Sequence, residues 1–173
     1  MAQNLNIGTM ILETNDMADD GTIEKYCYDN TEANCDVYGG LYQWNEMMEY
    51  TTTEGIQGIC PTGWHLPTDA EWTNLTTILG GESVAGGKMK ETGTTHWTAP
   101  NTGATNSCGF SANPGGGRSE YGEFAGKGSA SGWWSSTIIN NTDSWGRGIG
   151  YQTAGINRFN FNKSIGFSVR CLR

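Results

Sequence analysis
The chain has 173 residues, a formal net charge of −8 and only 16% charged residues. That length fits one domain able to bury about 70% of its unfolded surface without help from a metal, and the acidic balance disfavours nucleic acid or an anionic membrane, which need basic patches. No apolar run approaches the ~20 residues of a membrane span, so no membrane insertion is expected within this chain. The opening Met1-Ala2-Gln3-Asn4 lacks the charged and apolar regions of a signal peptide, and the chain is expected to be part of a longer protein. Twenty-six glycines, seven Trp, seven Tyr and five Phe favour short strands and long turns over a helical bundle.

Leu5, Ile7, Met10, Ile11 and Leu12 alternate loosely, and a strand is expected around residues 8–12. Residues 15–21 form a polar turn carrying Asp16, Asp19 and Asp20. The plain reading is a solvated acidic loop. The sharper one is a calcium site, although the EF-hand spacing is absent. No other cofactor is expected. Cys27 and Cys35 are eight residues apart. A bridge between them fixes a local turn and contributes about 2–3 kcal/mol; two independent thiols are the alternative. Leu41, Trp44 and Met48 share a helical face, which places a first helix over residues 42–50. This aromatic and Met stripe reads as core rather than as a cofactor box.

The stretch from Cys60 to Trp72 organises the chain. Trp64, His65 and Leu66 read as an extended piece ahead of Pro67. Thr68 and Glu71 have the spacing of a reciprocal capping box and open a helix over 68–79. Trp72, Leu75, Ile78 and Leu79 define its expected buried face, and Gly80-Gly81 stops it. A short third helix over 83–91 is weakened by Gly86-Gly87. Five cysteines without a C-x-x-C pair, and only two histidines, argue against zinc. Disulfides are the better reading and imply an oxidising compartment. Cys60 is expected to clasp Cys171, which leaves Cys108 over.

No period is sustained from 92 to 131. The Gly-rich run from Ser107 to Arg118 reads as a structural loop crossing the sheet; it lacks the Lys-Ser/Thr and following helix of a phosphate cradle. Trp133-Trp134-Ser135-Ser136-Thr137 reads as a strand. Then Trp145, Arg147, Ile149 and Tyr151 alternate with Gly146, Gly148 and Gly150, so the two sets face opposite sides of a strand. In the next strand Ile156, Arg158 and Asn160 oppose Asn157, Phe159 and Phe161. A last strand over 166–172 places Phe167, Val169 and Cys171 against Ser168, Arg170 and Leu172. The expected arrangement is an antiparallel meander with polar turns at Asn140-Asn141-Thr142-Asp143 and Gln152-Thr153-Ala154-Gly155.

The run Gly63-Trp64-His65-Leu66-Pro67-Thr68-Asp69-Ala70-Glu71-Trp72, together with Gly109-Phe110-Ser111-Ala112, Trp133-Trp134-Ser135-Ser136-Thr137 and the run from Lys163 to Cys171, resembles the Fibrobacter succinogenes major paralogous domain. The motifs stand in that family's order and span essentially the whole chain, so one domain over 1–173 is expected. The resemblance implies an α+β, C-type-lectin-like fold with two main helices, a small mixed or antiparallel sheet near the joined termini, and long Gly-rich loops. That fold is shared with formylglycine-generating enzymes and with variable proteins of diversity-generating retroelements, in which a C-terminal segment forms a ligand-binding face. The oxidase relatives use a cysteine pair in the C-terminal half; here Cys108 is the only non-terminal cysteine there. The family's members are bacterial surface and secreted proteins, so a bacterial or phage-encoded chain at the cell surface or outside the cell is implied.

The expected function is a non-enzymatic ligand-binding or display domain. Its partner would be a protein or glycan on a cell surface. The candidate ligand-binding residues are Ile138, Asn140, Asn141, Gly146, Gly148, Gly150, Tyr151, Asn157, Phe159, Phe161 and Ile165. Several of them interleave with core positions and carry no structural demand legible in the sequence. Tyr151, Phe159 and Phe161 are the expected anchors, since rigid aromatics give contact area at low entropy cost. The alternative is a structural module of a larger surface or phage-fibre protein. An enzyme related to the formylglycine-generating oxidases is the lesser reading. His65 reads as a packed histidine bonded to backbone, and His96 has no nucleophile motif nearby.

Overall fold
The computed structural model describes residues 1–173. Its two ends lie together: the Met1 ammonium donates to the Cys171 carbonyl at 3.1 Å, and the Leu5 N–H donates to the Val169 carbonyl at 2.9 Å. The architecture is α+β. A two-stranded parallel sheet joins β1 (Thr9–Met10) to β2 (Glu24–Lys25). Four helices follow: α1 (Glu32–Tyr38), α2 (Trp44–Met47), α3 (Asp69–Ile78) and α4 (Glu82–Met89). The C-terminal half supplies β3 (Gly115–Arg118), β4 (Phe124–Lys127), β5 (Ala130–Ile138), β6 (Asp143–Gly150) and β7 (Ile156–Asn162), in the sheet order β4-β3-β5-β6-β7. The β5–β6–β7 meander is antiparallel, whereas β3 meets β5 in parallel. No helix is long and apolar enough to cross a membrane.

Helix α3 starts where its capping box sits. The Glu71 N–H donates to the Thr68 hydroxyl at 3.1 Å, and the Thr68 N–H donates to the Glu71 carboxylate at 2.8 Å. Its buried stripe is Trp72, Thr76 and Leu79, and the expected Ile78 is 72% exposed. At 100° per residue, position 78 lies about 120° around the helix from Trp72, so it turns to solvent. Positive φ at Gly80 and Gly81 ends the helix. Both bridges form, Cys27 to Cys35 and Cys60 to Cys171, and Cys108 is free and exposed. The second bridge joins the strip ahead of α3 to the chain's end, where His65 also pairs with Leu172.

Several expectations are corrected. The first helix is not 42–50 but the four residues of α2, because Leu41 and Tyr42 pair with Tyr26 and Phe167 as isolated bridges. Helix α1, spanning Cys35 of the first bridge, was not expected; only Cys35 in it is buried, so it shows no apolar period. The Gly-rich run does not end as a loop: Gly115, Gly116, Gly117 and Arg118 form β3, inside the sheet. The last segment is not a continuous fourth strand of the meander. Gly166 pairs with Arg118 and Ser168 with Trp133, so it enters between β3 and β5 where they splay. Four helices thus stand where two main ones were expected.

Trp133 and Trp134 point to opposite sides of β5 and anchor two cores. Trp134 packs with Trp44, Met47, Leu66, Val169 and the Cys60–Cys171 bridge. Trp133 packs with Trp72, Met89, Trp97, Ile149 and Ile156 under α3 and α4. The large sheet therefore has one face pinned by α3 and α4, and one face covered in part by the Trp134 core with α2 and otherwise open.

Candidate functional site
The pinned face is ionic at its centre. Arg147, 3% exposed, meets Asp69 at the start of α3 at 2.6 Å. Arg158, directly across the ladder from Arg147, makes a forked contact to the same carboxylate at 3.0 and 2.8 Å. Burial alone would raise the Asp69 carboxyl, but hydrogen bonds from Arg158 and Arg147 and their charges hold it below the usual range. The Arg158 guanidinium also lies 3.3 Å from the Trp145 ring centroid. Trp145, expected in the core, is half-buried under that cap and joins none of the core clusters. Nearby, the Lys90 ammonium is buried and donates to the carbonyls of Thr102, Gly150 and Thr153 at 2.8–3.1 Å, which fixes the end of β6 and the following turn.

The other face carries a groove of about 490 Å³. Its floor follows from register. Gly132 lies opposite Gly148, and Ala130 opposite Gly150. Asn157 lies opposite Gly148, and Phe159 opposite Gly146. Residues facing each other across an antiparallel ladder share a side, so these backbones form a floor with almost no side chains. Phe159, Phe161 and Phe167 form its wall as a ladder of edge-to-face rings, with centroids 5.7 and 4.7 Å apart. Phe161 and Phe167 also pack on Trp134. Phe159 at the end of the ladder is 46% exposed.

The glycines of this floor differ in why they are glycine. A Cβ on Gly146 would lie 2.9 Å from the Trp133 carbonyl oxygen and 3.1 Å from the Phe161 ring. A Cβ on Gly132 would lie 2.7 Å from the Phe167 ring. Those two positions must be small. At Gly148 the nearest atoms would be 3.9 Å away, and at Gly150 3.8 Å, with no left-handed φ at either. Nothing in the backbone or its neighbours requires glycine at 148 or 150.

Of the expected ligand-binding residues, Gly148, Gly150, Asn157, Phe159, Phe161 and Ile165 line this groove. The others do not. Gly146 is buried beneath Phe161, so the expectation that it is free of structural demand is corrected. Phe161, Ile165 and Ile138 also pack on the Trp134 core, so they too have structural work. Tyr151 packs on the opposite side, against the Trp133 core. Asn140 and Asn141 sit in the β5–β6 turn, where the Asn140 side chain accepts from the N–H groups of Thr142 and Asp143 at 2.8 Å. Lys163 donates to both asparagine carbonyls at 3.1 and 3.3 Å. Phe167 and the β3–β4 glycines Gly116, Gly117 and Gly126 complete the groove. The three glycines were missed because they come from segments without alternation, and Phe167, though it alternates with Ser168, because the pairings that bring it to the groove are far away in sequence.

His65 bonds the Glu71 carboxylate at 3.0 Å through its ring, not backbone as expected; only its main chain pairs with Leu172. His96 bonds Glu91 at 2.8 Å. In the acidic turn Asp16 accepts from the Gln43 amide at 2.8 Å and lies 3.5 Å from Arg118. No group of three or more His, Cys, Asp or Glu side chains is placed to hold a metal ion. A second cavity of about 640 Å³ lies behind α3, between Trp72, Leu75, Ile78, Phe110 and Leu172, with Cys108 at its rim.

A family model described as Fibrobacter succinogenes major domain matches residues 1–173, the whole chain. No curated protein and no solved structure matches.

Proposed function
The chain belongs to the Fibrobacter succinogenes major domain family, and from that premise we propose that it is a non-enzymatic ligand-binding domain whose recognition surface is the glycine-floored groove. One observation carries this reading. Gly148 and Gly150 have ordinary backbone geometry and room for a side chain, so glycine there serves the open space and not the fold. Concave, mainly apolar sites on a rigid frame are where ligands bind. The aromatic wall supplies contact area and the two-disulfide frame supplies rigidity. In this reading the frame is of the C-type-lectin-like kind. The chain works in an oxidising setting outside the cell or at its surface, on a protein or glycan partner.

The test is capture from arrays of glycans and cell-surface proteins by the native chain and by Gly148→Leu, which projects a side chain into the groove. Capture by the native chain that disappears in Gly148→Leu, with both bridges intact, is the expected result. Capture that survives the substitution removes the groove as the binding surface. A chain that captures nothing on any array returns the reading to a structural module of a larger surface protein.

A further inference from the structure
The groove already shows what its floor accepts. Phe167 lies over Gly117 and Gly132: a Cβ on either would fall 2.9 or 2.7 Å from its ring. Phe161 covers Gly146 in the same way, at 3.1 Å. Phe159 reaches Gly148 only at its margin, at 3.9 Å, and no side chain lies within 4 Å of the Cβ position at Gly150. The repeat is a ring laid on bare glycine backbone with its edge against the next ring, and it stops one place short. The vacant place is floored by Gly148, Gly150 and Ala130 and bordered by the exposed Phe159.

We infer that this place takes a planar aromatic ring, namely a tyrosine or tryptophan side chain presented by a protein partner. This inference rests on the groove being the binding surface. Rings prefer tilted or edge-to-face neighbours 4.5–7 Å away, which is the spacing that Phe159, Phe161 and Phe167 keep among themselves. A glycine floor lets a flat group approach the backbone, where a branched aliphatic group makes fewer contacts. The polar inventory decides against a sugar. Arg118 is buried and spends its guanidinium on the carbonyls of Glu13, Ser119 and Ser164. Asn157, exposed at the rim, suits a phenol hydroxyl or an indole N–H, whereas a pyranose carries several hydroxyls that each need a partner.

The test uses N-acetyltryptophanamide, N-acetyltyrosinamide, N-acetylleucinamide and methyl β-glucopyranoside as probes, titrated into the native chain and followed by amide chemical shifts. The two aromatic amides are expected to move the signals of Gly148, Gly150 and Ala130. They should bind at least about threefold to tenfold more tightly than the leucine amide, the factor that aromatic pairing supplies. Phe159→Ala, at an exposed position, should weaken aromatic binding by a similar factor, and Gly148→Leu should abolish it. Equal binding of the leucine amide, stronger binding of the glucoside, or aromatic shifts unchanged in both variants would overturn the inference. Array capture that is blocked by Gly148→Leu while no aromatic amide binds would overturn the ring and leave the groove standing. Array capture insensitive to Gly148→Leu would remove the groove itself.

Discussion

Across the thickness of one sheet, neighbouring residues of β6 obey different constraints. Arg147 and Ile149 face the helices, and each is locked: Arg147 into Asp69 at 2.6 Å, Ile149 into the Trp133 core. At Gly148 and Gly150, one residue away on the same strand, an added Cβ would meet nothing closer than 3.8 Å. A strand's period of two lets one segment hold the fold with half its residues and leave the other half free of that constraint. The division is not clean along the open face. Gly146 belongs to the fold, because Phe161 and the Trp133 carbonyl close over it. The boundary between constrained and free therefore runs across the groove, between Gly146 and Gly148.

The covalent frame is expected to respond most strongly. Replacing both Cys60 and Cys171 with serine opens a loop with a sequence separation of 111, which costs about 4–5 kcal/mol by loop entropy. Chemical denaturation should show that loss, and a near-native midpoint would mean that the frame does not need its clasp. Next comes the pinned face. Arg147→Ala leaves the Asp69 carboxylate with Arg158 alone and removes a buried cation from the interface between α3 and β6. A destabilisation of about 3 kcal/mol is expected, read as a melting-point drop of several degrees.

The same ion cluster predicts a pH dependence. The folded Asp69 carboxyl titrates below its ordinary value, so the stabilisation is present above the unfolded carboxylate range and is lost as pH falls through the lower, folded value. Glu71, held down by the Thr68 N–H and His65 against the opposing effect of burial, shifts in the same direction. The native chain should lose stability on acidification below about pH 4. Asp69→Asn should start less stable at neutral pH and flatten that acid limb. An acid limb as steep as that of the native chain would show that Asp69 does not carry it.

Much of the pinned face was legible in the sequence. The Thr68–Glu71 capping box and the 145–151 alternation have local signatures, because each is set by the spacing of side chains along one element; the pairing of Cys60 with Cys171, 111 residues apart, has none. The open face was only half legible. Asn157, Phe159 and Phe161 could be placed on the glycine side by period alone. Phe167 and β3 could not: three consecutive glycines show no alternation, and Phe167, though it alternates with Ser168, reaches the groove through pairings far away in sequence. The role of Gly146 was hidden for the same reason: it depends on a ring fifteen residues later folding back over it. Ile78 has the i+3 spacing from Leu75 of a stripe residue, but the buried stripe runs through Thr76 instead.

The smallest expected effect lies on the open face and tests the division most directly. Thermal melting of Gly148→Leu/Gly150→Leu should stay within about 2 °C of the native chain, a change of less than about 1 kcal/mol at this size, whereas Gly146→Leu should melt several degrees lower. A double variant that falls as far as Gly146→Leu would contradict the account, because those two glycines would then be serving the fold and not an open binding surface.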